Sequence, residues 1–437
     1  MVQLLKAAFV GAAVLATAAY AQITMDCGAN LGKCPESKPC CSQYGQCGIG
    51  AFCLGGCDPK FSNQLESCVA APICQSKKHT FDGLTRVADK TKYLGDASRY
   101  DWVADGNPMN SDDGDLLLTM AAKTVGTVMA STRYVWYGNI KATMKTSRGA
   151  GVVSAFIMMS DMKDEIDFEW IGVDLDVTQT NYYFQGIPDY THGGNISTSA
   201  TFDEWHTYEV DWTEDSITWK VDGETGRTLK KSDTYNATSK QYDFPQTPSR
   251  VQLSLWPGGL ATNDIGTINW AGGEIDWTNS ADMKDPGYYY VQVKDVVVSC
   301  YDPPSGTTKK GSKSYYYSDA AGLQKNVVIG DKSTVLKSFL ASGTDMDAAA
   351  PSSSAGLEGI ETVPGLAGAG TGAGNRATPS GTTGTTEDTE DQGVAAATGK
   401  NVFSQGNTND AAAPANALAL RGSMVALLVA LVGIVAL

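Results

Sequence analysis

The sequence predicts an all-β protein: a sandwich or barrel over residues 75–301, a small disulfide-rich module before it and a disordered stalk after it. Three observations lead there. Short runs in the middle of the chain alternate apolar and polar residues, and no helical periodicity competes with them. Nine of the ten cysteines fall between Cys27 and Cys74. From residue 302 the composition turns to Ser, Thr, Gly, Ala and Pro.

The first 21 residues have the form of a signal peptide. Lys6 precedes an apolar run from Ala7 to Ala19, and Ala19-Tyr20-Ala21 is a small-x-small cleavage pattern. A membrane helix is the weaker reading, because the run is too short to span comfortably. Residues 24–70 are rich in Cys and Gly and poor in apolar runs, so they need cross-links rather than a large core. Zinc is the lesser alternative, since Cys40 and Cys41 are adjacent and no histidine lies near.

Residues 75–301 hold the strand-like runs. They include Val135 to Met144, Val152 to Met158, Ile166 to Val173, Glu204 to Thr213, Ser216 to Val221, Arg250 to Trp256 and Tyr288 to Val298. Asp222-Gly223 is a turn signal. Asn195 and Asn236 begin glycosylation sequons. Residues 302–409 read as a flexible, O-glycosylated stalk. Residues 410–437 end in the uncharged run Met424 to Leu437, and with small residues at Asn409-Asp410-Ala411 they form a GPI-attachment signal. Asn409 is the expected attachment residue, with Asn407 and Asn416 as competitors. The mature chain is then expected outside the cell, lipid-held at the plasma membrane or transferred to the wall.

Lys and Arg number 33 against 48 Asp and Glu, a formal net charge of -15. Such a surface gains nothing from phosphate backbones, which argues against nucleic acid and leaves neutral polymers open. His79, His192 and His206 are scattered without metal-ligand spacing, so no metal and no cofactor is expected. His206, beside Trp205, reads as packing. The chain is expected to act as a monomer.

One run stands out: Asp164-Glu165-Ile166-Asp167-Phe168-Glu169-Trp170. On a strand, Glu165, Asp167 and Glu169 share one face, and Ile166, Phe168 and Trp170 the other. Three carboxylates in line repel one another and raise at least one pKa. That places an acid and a base in one site, as glycoside cleavage requires. A solvated acidic face and a calcium site remain as alternatives. Further on, Gln252, Ser254 and Trp256 share a face, and a tryptophan can stack on a pyranose ring. Core packing is the other reading of Trp256 and of Trp270.

The Glu-Ile-Asp-Phe-Glu run resembles the Glu-Ile-Asp-x-Glu signature of glycoside hydrolase family 16. With Tyr93-Leu-Gly-Asp, Gln252-Leu-Ser-Leu-Trp-Pro-Gly-Gly and Gly266-Thr-Ile-Asn-Trp-Ala-Gly-Gly, residues 75–301 resemble the fungal Crh-type chitin–glucan transglycosylases. The resemblance implies a β-jelly roll with a concave cleft. It assigns Glu165 as nucleophile, Asp167 as its electrostatic helper and Glu169 as acid/base, with Gln252, Trp256 and Thr267 lining the sugar cleft beside Glu169.

The run Cys40-Cys-Ser-Gln-Tyr-Gly-Gln-Cys47-Gly resembles hevein-like chitin-binding domains. That family implies Cys27–Cys41, Cys34–Cys47 and Cys40–Cys53, with sugar contacts at Ser42, Tyr44 and Phe52. Cys57–Cys68 and Cys74–Cys300 follow only by using up the remainder. Gln46 stands where the family usually has an aromatic, which weakens the expected binding. Together the resemblances imply an enzyme that cleaves chitin and transfers it to β-glucan or chitin, with hydrolysis as a side reaction. The competing readings are a β-1,3-glucan enzyme and a non-catalytic anchored chitin-binding wall protein.

Overall fold

The computed structural model describes residues 25–349 and 362–364. The expected leader, the attachment residue Asn409 and most of the expected stalk lie outside them.

Two eight-stranded sheets stack as a jelly-roll sandwich. The first runs, in spatial order, Gly194–Ser197, Val177–Tyr183, Glu165–Ile171, Val152–Ser160, Ser249–Pro257, Thr127–Val135, Trp102–Asp105 and Val87–Asp89. The second runs Glu224–Lys230, Ser216–Val221, His206–Trp212, Gly138–Lys145, Tyr288–Cys300, Leu116–Ala121 and Pro108–Asn110, with Lys77–Thr80 also on Tyr288–Cys300. The core lies between them and is strongly aromatic. Phe156, Phe168 and Trp170 stack in a row, with Tyr208 of the second sheet against the last two. Alternation does the sorting: even-numbered residues of Glu165–Ile171 enter this core and odd-numbered ones face away from it.

Five disulfides link Cys27–Cys41, Cys34–Cys47, Cys40–Cys53, Cys57–Cys68 and Cys74–Cys300. Four sit inside the small module. The fifth ties the chain's entry into the sandwich to the end of its longest strand. It closes a loop of 226 residues, and closing long loops removes the most disorder from the unfolded chain.

The expected stalk from residue 302 needs correction. Residues 302–349 are packed. Ser314–Tyr317 and Val327–Gly330 pair antiparallel, and with Ala71–Pro72 and Thr308–Lys309 they form a four-stranded sheet. Tyr315, Val327, Val328, Ile329, Leu336 and Ala341 are all buried. The Ser/Gly-rich surroundings hide two short apolar runs, each too small to register as a strand until a partner covers it. Leu336 and Ala341 reach back to the module and pack with Phe52, Leu54 and Val69.

Two short helices, Ile265–Trp270 and Ala281–Lys284, interrupt the β pattern. The first is capped by Asp264, whose carboxylate accepts the Gly266 N–H at 2.8 Å.

If residues 302–349 belong to the folded body, Ile329→Ala should cost about 2–5 kcal/mol through lost burial and a residual cavity. Scanning calorimetry reads this directly; in a detached stalk the same change would leave the unfolding curve unmoved.

Candidate active site

The acidic strand is held from three directions. Asp164 precedes it and is fully buried. Its carboxylate accepts from the backbone N–H of Gln185 (3.0 Å), Gln246 (2.9 Å) and Thr247 (3.0 Å) and from the Thr247 hydroxyl (2.6 Å). Behind the strand, the Trp219 indole of the second sheet donates to the Asp167 carbonyl at 3.0 Å. Arg227 lies over Trp219 and donates to the Thr180 carbonyl and hydroxyl, bracing the neighbouring strand.

On the outer face Glu165, Asp167 and Glu169 stand in line, each at most 2% exposed. Successive members of such a row are roughly 7 Å apart along the strand. Each has cross-strand neighbours on the same face. Glu165 lies between Tyr183 and Met159, Asp167 between Asn181 and Ile157, Glu169 between Gln179 and Ala155. One flank is therefore polar. The other, with Tyr183, forms a small apolar cluster of Ala155, Ile157 and Met159.

The Asp167 carboxyl is pushed well above its ordinary value. Burial is the main cause, followed by the Glu165 and Glu169 charges and a side-chain hydrogen bond to Glu165; Arg227 opposes them. Burial and the two neighbouring carboxyls thus favour the protonated form of Asp167. The same three carboxyls, after burial, raise the Tyr183 phenol.

One strand further, Ser249–Pro257 continues the face. Arg250, Gln252, Ser254 and Trp256 stand opposite Met159, Ile157, Ala155 and Val153. Gln252 is 1% exposed, and neither end of its side-chain amide has a hydrogen-bond partner among the described residues. The same holds for the Trp256 indole N–H and the Thr267 hydroxyl. Trp256 and Trp270 stack at 5.9 Å between ring centroids, and the Trp270 N–H donates to the Gln179 carboxamide at 3.0 Å. Gln252 and Trp256 therefore share the face of the carboxyls, with Trp256 toward the Glu169 end, while Thr267 stands on the helix Ile265–Trp270. A buried side-chain amide without partners is costly, and a polyhydroxylated ligand would supply them.

Sequence reasoning missed Gln179, Asn181 and Tyr183. Their signal was present, as Gln-Thr-Asn-Tyr alternates polar residues onto one face. Arg250 was missed as well. Of the sequons, Asn195 is exposed on the edge strand and directly opposite Gln179. The Asn236 amide donates to Asp243 at 2.8 Å and its carbonyl caps the following turn. His206 bridges Asp222 and the Ser199 carbonyl, each at 2.7 Å.

The expected sugar contacts of the small module are the main departure. Ser42 is 3% and Phe52 1% exposed. The Ser42 hydroxyl accepts from the N–H groups of Tyr44 and Gln46, and Phe52 lies in a cluster shared with Ala88 and Tyr93 of the sandwich and with Leu336 and Ala341. Tyr44 is half-buried and faces a crevice against the sandwich. Ser42 and Phe52 are thus covered rather than presented to solvent, because this side of the module is packed on the sandwich. Cys27, Cys34 and Cys41 have metal-ligand proximity, but all are spent in disulfides.

A family model for glycosyl hydrolases family 16 matches residues 96–272. Crh-like protein 2 of Aspergillus fumigatus is 58% identical over 351 residues, covering 78% of this chain and 79% of that one. Congo red hypersensitive protein 2 of Saccharomyces cerevisiae is 47% identical over 324 residues, covering 74% and 69%. Among solved structures, a Crh5 transglycosylase in complex with NAG is 29% identical with a TM-score of 0.50, covering 62% of this chain and 98% of that one.

Burial pushes the Asp164 carboxyl up to about 6 despite its four hydrogen bonds. A raised carboxyl favours the protonated fold, so this group's contribution is complete below pH ~4 and declines as pH rises through about 6. The stability difference between the parent and Asp164→Asn should therefore change across that window and be flat above pH ~7, in melting curves taken at half-unit intervals.

Proposed function

The chain belongs to glycosyl hydrolase family 16, among the Crh-like proteins of fungi, and from that membership we propose that it cleaves β-1,4-linked chitin and transfers it to β-glucan or chitin. It is an enzyme acting on polysaccharide; the choice of polymer and the residue roles are the proposal. The observation that carries it is the row of three buried carboxyls, its middle member pushed toward the protonated form by burial and by its neighbours.

In this reading Glu165 attacks the anomeric carbon while Glu169 gives its proton to the departing glycosidic oxygen. The C–O bond breaks and a glycosyl ester forms on Glu165. Glu169, now a carboxylate, takes the proton from an acceptor hydroxyl. That oxygen attacks the anomeric carbon, and Glu165 leaves as a carboxylate. Retention requires the two reacting carboxyls about 5–5.5 Å apart, so the glutamates lean toward each other over Asp167. The Asp167 proton, donated to Glu165, holds the nucleophile in place and eases its departure as a leaving group. Gln252, Trp256 and Thr267 bind the sugar beside Glu169. A sugar hydroxyl as acceptor gives transfer; water gives chitinase hydrolysis. The expected leader and tail would keep this chemistry at the membrane or wall, outside the described residues.

The purified protein, given a chitin oligomer and a fluorescent β-glucan oligomer, should form a mixed product visible by mass. Shortened chitin alone would mean a hydrolase, reaction of glucan alone a β-1,3-glucan enzyme, and no reaction with binding retained a wall lectin.

Glu169→Gln should slow transfer by about 10²–10⁴-fold and Glu165→Gln by about 10⁴-fold or more, with oligomer binding retained. Asp167→Asn, which keeps a donor toward Glu165, should retain more activity than Asp167→Ala. Initial rates on one chitin oligomer compare all four.

A further inference from the structure

The Cys-rich module does not stand away from the sandwich. It seats on the face that carries the carboxyls. Cross-strand register places Tyr134 beside Arg250, Ala130 beside Gln252 and Val128 beside Ser254, with Val103 and Asp105 on the next strand. All lie on the same side of the sheet as Glu165, Asp167 and Glu169. Val103, with Ala88 and Tyr93, is packed against Phe52, Leu54 and Val69 of the module. The last strands of this sheet are therefore covered, and the open face ends near Ser249–Pro257.

The seam is specific. The Gly56 N–H donates to Asp161 at 2.8 Å and to the Tyr134 hydroxyl at 3.2 Å. Lys60 donates to Gln185 and Lys163 to the Gln43 carbonyl. Arg250 Nη2 donates to the Gln43 carboxamide at 2.9 Å. Gly55 and Gly56 make room for it, since an added Cβ would stand 2.8 Å and 2.7 Å from the guanidinium. Gly56 also has φ +88°, a conformation other residues resist.

A crevice of about 90 Å³ remains at this seam, lined by Tyr44, Tyr93, Tyr134, Ala130 and Arg250 among others. Arg250 is 7% exposed and its Nε–H has no acceptor among the described residues. Two residues along the same strand stands the unpartnered amide of Gln252, in cross-strand register with Ile157 and, beyond it, Asp167. A neutral sugar, which offers hydroxyl and amide oxygens as well as a flat apolar ring face, suits an uncommitted donor beside tyrosines.

We propose that Tyr44 of the module and Arg250 of the sandwich, joined through Gln43, form a glycan-binding subsite at the closed end of the groove. The module then acts as a wall that extends the catalytic groove, and its aromatic contributes to substrate binding from inside the seam. This rests on the glycan-active reading above and adds a site to it.

The test uses the full protein in a Glu165→Gln background, so binding is read without turnover. Chitin oligomers of two to eight units are titrated by calorimetry against that parent and against versions carrying Tyr44→Ala or Arg250→Gln. Each added change should weaken the longest oligomers by about tenfold, the scale of a lost aromatic or buried donor contact, and leave the shortest unchanged. Equal affinity with and without the changes, at every length, overturns the subsite. So does equal weakening at every length together with a lowered Tm, which marks the seam as purely structural. If the parent binds no chitin oligomer but binds β-1,3-glucan oligomers, the chitin assignment fails, and the same series run with glucan decides the subsite.

Discussion

The site depends on one constraint: a seven-residue strand whose alternate side chains have incompatible destinations. Ile166, Phe168 and Trp170 enter an aromatic core with Phe156 and Tyr208. Moving the strand by one residue would put three carboxyls into that core and three large apolar groups outside. Register is therefore set by burial, and the acidic row follows from it. Asp164 and the Trp219 indole fasten the strand at its start and middle, so the row is carried on rigid elements rather than loops.

That rigidity has an electrostatic consequence. Carboxyls fixed in line with little solvent cannot relax apart. Asp167, which lies between the other two, is raised by burial and by both of them. Arg227 tempers the shift while spending its own donors on the Thr180 and His192 carbonyls. The positive charge near the row is thus structural first.

The small module and the segment after the sandwich are packed against the sandwich in one body. A cysteine framework with little apolar surface gains a core by borrowing one: Phe52, Leu54 and Val69 pack with Ala88 and Tyr93 of the sandwich side and with Leu336 and Ala341 of the later segment. The arrangement covers Ser42 and Phe52 and places Tyr44 at a crevice against the sandwich.

By itself the sequence determined whatever is local or periodic. Alternation in Glu165–Ile171 was enough to place three carboxyls on one face, and the strand runs were enough for an all-β sandwich or barrel, with the jelly roll implied by the family resemblance. The cysteine spacing, through its resemblance, suggested Cys27–Cys41, Cys34–Cys47 and Cys40–Cys53, and Cys57–Cys68 and Cys74–Cys300 followed only as the remainder; the structure contains all five. Tertiary structure decided what depends on contact across the chain. Gln179, Asn181 and Arg250 became part of the face only when their strands paired with neighbours far off in sequence. Residues 302–349 read as a stalk because Ser314–Tyr317 and Val327–Gly330 are each too short to bury anything alone. The orientation of the module was invisible for the same reason: a spacing pattern defines a cross-linked fold, but the surface it buries is chosen by the partner it meets.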